Sequence, residues 1–278
     1  MRAALVQLNS SDDPEANLVE TLLRLDDAVA GGAEFVLTPE VTNCVSTSRT
    51  RQSAVLRTEA EDPTLAGLRD AVARHGVHVL IGSLALKLGR DETRFVNRSF
   101  LLYPDGSVAA RYDKIHMFDV EVSETETYRE SSAYRPGDQA LLADVNGVRI
   151  GLTICYDLRF PMLYGALAQA GAQILTVPSA FSPATGPGHW ETLLRARAIE
   201  NGAFVLAPAQ TGRHAATRGR VRETYGHSLA VGPWGNVLAD AGSPPGVTFV
   251  DLRLADVDDA RRRIPSLSHE RPFRKPDA

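Results

Sequence analysis

The sequence predicts an α/β protein: one domain of two stacked sheets with helices outside. Three observations lead there. Strand-like and helix-like segments alternate along the 278 residues. The two halves echo each other: Gly32-Ala33-Glu34-Phe35-Val36-Leu37-Thr38-Pro39-Glu40 resembles Gly171-Ala172-Gln173-Ile174-Leu175-Thr176-Val177-Pro178-Ser179. Each half also carries a hairpin with a Pro-x-Gly turn, and no linker-like stretch divides them. An internal pseudo-two-fold follows, with neither half expected to fold alone. The domain is expected over 1–264. Residues 265–278, rich in proline and polar residues, read as a tail or as an arm that packs on a partner subunit.

The elements follow in order. Met1 to Leu8 is strand-like from the start. Asp13-Pro14 caps and opens a helix with Leu18, Leu22, Leu25 and Val29 on one face and Gly31-Gly32 ending it. Phe35 to Thr38 is a short buried strand. Asp62-Pro63 opens a second helix with Leu65, Leu68 and Val72 inward and Gly76 as its stop, and Val77 to Ser83 is a strand. Ser99 to Tyr103 and Val108 to Tyr112 form a hairpin about Pro104-Asp105-Gly106-Ser107. Val148, Ile150, Leu152 and Ile154 alternate as a strand leading to Cys155, and Pro161 opens the helix Met162 to Ala170. Strand Ile174 to Val177, helix Trp190 to Asn201 and strand Ala203 to Ala207 come next. A second hairpin, Ser228 to Gly232 and Asn236 to Ala239, turns on Pro233-Trp234-Gly235. The acidic Asp256, Asp258 and Asp259 before Arg261 to Arg263 suit a helix dipole.

Composition narrows the function classes. A chain that is 44% hydrophobic and 23% charged is an ordinary globular sequence. A net charge of −4 gives no case for nucleic acid or an anionic membrane as partner. There is no signal-peptide pattern, no run of membrane-spanning length, and no disulfide framework in two cysteines. A cytoplasmic setting is the simplest expectation. The histidines form neither His-x-x-x-His nor His-Glu-x-x-His, so no metal is expected. Phosphate loops, Cys-x-x-Cys and Gly-x-Ser-x-Gly are likewise absent.

Cys155 is the residue with most chemical promise. A thiol between a strand and a helix can project from a sheet edge with backbone N–H groups beside it, which suits a nucleophile. Yet a lone intracellular cysteine is most often a small buried hydrophobe, and its turn alone does not decide. A thiol hydrolase also needs a proton carrier and a group to stabilise an oxyanion. Glu40 follows an apolar strand and a proline, which puts its carboxylate at the sheet's rim. Lys114 ends the second strand of the first hairpin, where Tyr112, Lys114 and His116 share a face. Glu130 lies in a polar loop before Arg135-Pro136-Gly137. Taken singly, each of these reads equally as a solvated charge.

Three blocks in order resemble the nitrilase superfamily of carbon–nitrogen hydrolases: Pro39-Glu40, Asp113-Lys114-Ile115-His116-Met117-Phe118-Asp119-Val120, and Cys155-Tyr156-Asp157-Leu158-Arg159-Phe160-Pro161. The resemblance runs from Leu5 to about Leu252. It implies a four-layer αββα sandwich, a homodimer or higher homo-oligomer joined across helices, and no metal or organic cofactor. It implies a Glu-Lys-Cys triad of Glu40, Lys114 and Cys155, with Glu130 holding Lys114 and the Tyr156 N–H helping to bind the oxyanion. The product route is a thioester. Segments such as Pro178-Ser179-Ala180-Phe181 and Gln210-Thr211-Gly212-Arg213-His214 resemble deaminated-glutathione amidases more than ω-amidases of α-ketoglutaramate. An anionic small-molecule amide is then the expected substrate, with Arg159 first and Arg213 second as carboxylate contacts, and Phe181 in the pocket. ω-Amidase activity on α-ketoglutaramate or N-carbamoyl amino acid amidohydrolase activity is the alternative, with a catalytically silent interaction scaffold a distant one. The Arg-rich stretch Ala215 to Glu223 looks longer than the usual pattern, and neither its role nor that of Cys44 follows from the sequence.

Overall fold

The computed structural model describes residues 1–89, 92–123 and 126–274; the last four residues of the expected tail, 275–278, lie outside the described residues. The first sheet has six strands in the order β16-β1-β2-β3-β4-β5. These are β1 (Arg2–Gln7), β2 (Phe35–Leu37), β3 (His78–Lys87), β4 (Phe95–Leu102), β5 (Val108–Asp113) and β16 (Gly246–Asp251). The second sheet has the order β15-β14-β11-β10-β9-β8. Its strands are β8 (Leu141–Val145), β9 (Val148–Leu152), β10 (Ile174–Thr176), β11 (Phe204–Ala207), β14 (Leu229–Val231) and β15 (Val237–Asp240). Two small ribbons, β6 (Asp119–Ser123) with β7 (Glu126–Arg129) and β12 (Thr211–His214) with β13 (Arg222–Tyr225), stand apart.

The sheets share one plan, which is the pseudo-two-fold expected from the sequence echo. Three parallel strands, β1-β2-β3 or β9-β10-β11, are flanked by an antiparallel strand on one side and by a hairpin on the other. The flanking strand is β16 in the first sheet and β8 in the second. The hairpins are those predicted about Pro104 and Pro233. The echoed segments are β2 and β10, each entered through a glycine at positive φ, Gly32 at 79° and Gly171 at 102°.

Strand periodicity sorts the core into layers. Ala3, Leu5, Phe35, Leu37 and Leu80 pack with Ile150, Leu152 and Ile174 of the other sheet. The residues between them, Ala4, Val6, Val36, Val79 and Ile81, pack outward with Leu25, Leu65, Leu68 and Val72. Those outer residues belong to α1 (Pro14–Ala30) and α3 (Pro63–His75). Between them in sequence lies the short α2 (Arg49–Val55). On the far side, α4 (Pro161–Gln169) and α5 (Gly186–Asn201) cover the second sheet, and α6 (Ala255–Arg263) follows β16. The result is an αββα sandwich. Its caps follow local chemistry. Asp13 accepts from the N–H groups of Glu15 and Ala16, Asp62 from Leu65, and Gly76 closes α3 in the left-handed conformation.

Strands β8 and β16 and the two ribbons were not legible in the sequence. β16 completes the first sheet from the opposite end of the chain, pairing Arg2 with Asp251 through Gln7 with Gly246. No helix is long and apolar enough to cross a membrane among the described residues.

Candidate active site

The loops that leave β2, β9 and β10 converge at the carboxyl ends of the parallel strands, where α/β sheets open a crevice. The loop after β9 begins a 3₁₀ turn, Cys155–Arg159. Cys155 itself is left-handed, at φ 49°, and its N–H donates to Pro178 O at 3.0 Å. Val41, next to Glu40, is also left-handed at φ 48°. Such a conformation is costly for a β-branched residue and needs outside support. Ser83 supplies it by accepting the Val41 N–H at 2.8 Å, while the Thr42 N–H donates to Ser83 O at 2.9 Å.

The buried charges meet at Lys114. Its Nζ donates to Glu40 Oε1 at 2.9 Å and to both carboxylate oxygens of Glu130 at 2.9 Å. Lys114 is 2% exposed and Glu40 4%, so these charges depend on one another rather than on water. The remaining acceptor sites are filled. Asn97 Nδ2 donates to Glu40 Oε1 at 2.9 Å and the Ala180 N–H to Glu40 Oε2 at 2.8 Å, while the Phe118 N–H donates to Glu130 Oε2 at 2.6 Å.

Electrostatics assign each group a resting state. Burial alone would raise the Glu40 pKa, but Lys114 and Arg222 outweigh it and hold the carboxyl below its usual range. Burial works against the Lys114 ammonium too, yet Glu130 and Glu40 drive its pKa well above the ordinary value. The Cys155 thiol is pushed up to about 12 by burial and by the Glu40 charge, with Lys114 opposing. At neutral pH the centre therefore holds a carboxylate, an ammonium and an intact thiol, with the Glu40 charge close enough to bear on that thiol.

Asp157 locks the turn that carries Cys155. Its Oδ2 accepts from Tyr112 Oη at 2.7 Å and the Ile154 N–H at 2.9 Å, and its Oδ1 from the His116 N–H at 3.0 Å and lies 2.7 Å from His116 Nδ1. Tyr112 and His116 thus share the face predicted for them, and that face grips the turn that carries Cys155 while Lys114 reaches the carboxylates.

A cavity of about 800 Å³ opens above this centre. Glu40, Lys114, Glu130 and Cys155 all line it, as do Tyr156, Arg159 and Phe181. Arg159 lies over the rings of Phe181 and Tyr156, at 5.6 and 6.0 Å from their centroids, with one guanidinium nitrogen 3.2 Å from His189 Nδ1. Arg213 is different. It is exposed on β12 and does not line the cavity. Its segment acts through its neighbours: Gln210 Nε2 donates to Glu40 O at 3.1 Å, and His214 is buried between Ser10 O and Thr224 Oγ1, 2.7 Å from each. The arginine that reaches the site is Arg222 on β13, which donates to Ala180 O at 2.7 Å.

Sequence reasoning assigned no site role to Asn97, Asp157, the Ala180 N–H or Arg222. Only Asp157 left a trace, as part of the block around Cys155. Among the described residues no group of three or more His, Cys, Asp or Glu side chains is arranged to hold a metal.

The chain is similar to known proteins. The family model for carbon–nitrogen hydrolases matches residues 2–262. The deaminated glutathione amidase of Yersinia enterocolitica is 39% identical, over 96% of this chain and 92% of its own. The Rattus norvegicus protein of the same name is 38% identical, over 97% and 82%. Among solved structures, the NitFhit protein of C. elegans superposes with a TM-score of 0.89 at 35% identity; 97% of this chain is covered, and the chain spans 65% of that longer protein. A mutant amidase from Nesterenkonia sp. AN1, in which acrylamide has added to the active-site cysteine, superposes at 0.77 with 29% identity, over 95% of this chain and 98% of its own. With its αββα fold and buried carboxylate–ammonium–thiol centre, the chain belongs to the carbon–nitrogen hydrolase family of the nitrilase superfamily and is an enzyme that cleaves C–N bonds.

Proposed function

We propose that the chain is a cysteine-dependent amidase acting through a thioester, and that its substrate is deaminated glutathione. The observation that carries the reading is the Lys114 ammonium, held between Glu40 and Glu130 beside an intact Cys155 thiol. Because the thiol rests protonated, a base has to act during attack, and Glu40 is the ionised carboxylate that lines the same cavity and whose charge bears on the thiol. Glu40 takes the Cys155 proton as sulfur bonds to the amide carbon. Lys114 stays charged throughout and stabilises the oxyanion. The Tyr156 N–H, at the start of its 3₁₀ turn, supplies the second donor. Glu40 then passes its proton to the departing nitrogen as the C–N bond breaks, leaving the thioester. A water gives its proton to Glu40 and attacks; the acid leaves and the proton returns to Cys155 sulfur.

The substrate assignment rests on the names and identities of the relatives and on the cavity. Six arginines line it among the described residues, against two carboxylates already committed to Lys114. An anionic substrate fits that balance, with Arg159 as the nearest candidate for its α-keto acid end. Purified protein offered deaminated glutathione, α-ketoglutaramate and an N-carbamoyl amino acid should prefer the first. Preference for either of the others overturns the substrate. Cys155→Ala should lower kcat by about 10,000-fold or more with the circular dichroism spectrum unchanged. Substantial residual hydrolysis overturns the mechanism.

The same reading includes a cytoplasmic homodimer. Two unpaired cysteines, Cys44 and Cys155, suit a reducing compartment. Met162 on α4 and Ile199 on α5 are 87% and 55% exposed, which supports pairing across those helices. Light scattering that gave a monomer mass would remove the dimer.

A further inference from the structure

We infer that the segment 217–222 forms a second anion-binding wall of the cavity, where Arg218 and Arg220 bind a carboxylate carried by the leaving group of the amide. This rests on the amidase reading above and extends it to the far end of the substrate.

The segment joins β12 to β13 and is tied down at three places. Asp12, 1% exposed, accepts from both the N–H and the hydroxyl of Thr217 at 2.8 Å. Thr47 Oγ1 donates to Arg220 O at 2.7 Å. Arg222 is fixed by the bond to Ala180 O. Gly219 lies between the two arginines at φ 91°, against Thr47 and Ser48, a conformation and a fit that a side chain would strain. A loop held in this way keeps the exposed Arg218 and Arg220 at the edge of the cavity.

Two of its three arginines, Arg218 and Arg220, have guanidiniums without a partner among the described residues. Other arginines lining the cavity have partners: Arg49 donates to Ser132 O and Thr93 O, Arg129 pairs with Glu121, and Arg159 lies against His189 and two aromatic rings. Among the described residues, neither acid lining the cavity is free to pair with the wall, since Lys114 holds both. The guanidiniums of Arg218 and Arg220 line the cavity and have no hydrogen-bond or ion-pair partner among the described residues. The two arginines flank Gly219 and line one cavity, and a substrate carboxylate that reaches either guanidinium gains charge-assisted hydrogen bonds. A cavity of about 800 Å³ is ample for a substrate longer than a simple ω-amide. In deaminated glutathione the leaving dipeptide ends in such a carboxylate.

The test compares two amides with the same acyl part: deaminated glutathione and its analogue with the terminal carboxylate converted to a carboxamide. The wild type should favour the carboxylate about 10-fold in kcat/KM, mainly through KM. R218A/R220A should reduce that preference to about 2-fold or less, losing far more on the carboxylate than on the carboxamide, and R218K/R220K should keep part of it. A wild type without preference, a variant that keeps it, or an equal loss on both compounds overturns the proposal. Calorimetry on the C155A protein separates the two levels. If neither compound is turned over, the amidase reading fails, and the wall is then judged by binding. C155A should bind the carboxylate more tightly than the carboxamide, and C155A/R218A/R220A should not; equal affinities in C155A overturn the wall.

Discussion

Lys114 shows how much one buried side chain can organise. Its stem is buried and its three ammonium protons go to two carboxylates. Removing one partner of such a group leaves the others uncompensated. Glu130→Gln keeps the shape but loses a charge and one acceptor. We expect kcat to fall roughly 100-fold with KM nearly unchanged, because Lys114 is then misaimed at the oxyanion rather than at bound substrate. A loss confined to KM would assign Glu130 to substrate binding instead. Glu40 sets the pH response. Its carboxyl is held below its usual range, so the base stays ionised through neutral pH and is protonated only in acid. The acid limb of kcat/KM should lie below the ordinary glutamate value of about 4.3. Arg222→Met removes one of the two charges holding it down, and the limb should move to higher pH.

At the scale of elements, the β12–β13 ribbon carries the wall of the cavity, and His214 pins it. Burial lowers the His214 pKa to about 4. In the unfolded chain histidine binds its proton near 6.5. Between those values the unfolded state holds more protons, so stability falls as pH falls through that window. The loss is on the order of 3 kcal/mol if His214 stays fully neutral in the fold. Urea midpoints at pH 7 and 4.5 should therefore differ less in His214→Asn than in the wild type. An equal drop in both would leave the acid response to other groups. The neighbouring Arg213 illustrates a limit of pattern reading. β12 buries Thr211 and His214 and exposes Gly212 and Arg213, so strict alternation does not hold in so short a ribbon.

Across the whole molecule, the two halves are joined by buried polar groups as well as by the shared core. Gln7 is fully buried at the end of β1. Its Nε2 donates to Gly242 O and Pro244 O at 2.9 Å, and its Oε1 accepts from the Ser228 N–H and Oγ at 2.8 Å. Gln7→Ala would strand several of these groups at about 1–3 kcal/mol each, less whatever water recovers. We expect a loss of about 2–5 kcal/mol, read as a lower midpoint in a transition that remains single. Separate transitions for the halves would show that they do not fold as a unit.

The sequence by itself determined the α/β class, the repeated half and the candidates Glu40, Lys114, Cys155 and Glu130. The class and the repeat are written in local signals, Asp-Pro and Gly at helix ends and alternation in strands, whereas the four candidates stood out only through the resemblance of their blocks to a known family. What only the tertiary structure decided is which groups serve them. Asn97 lies on β4, Ala180 past β10 and Arg222 on β13, and no periodicity links them, because what brings them to Glu40 is the meeting of two sheets. The same holds for β16, whose partner β1 is at the other end of the chain. Arg213 and Arg222 are equally plausible in a string of letters. The fold chose Arg222, because a short ribbon turned that side chain toward the cavity and left the other in solvent.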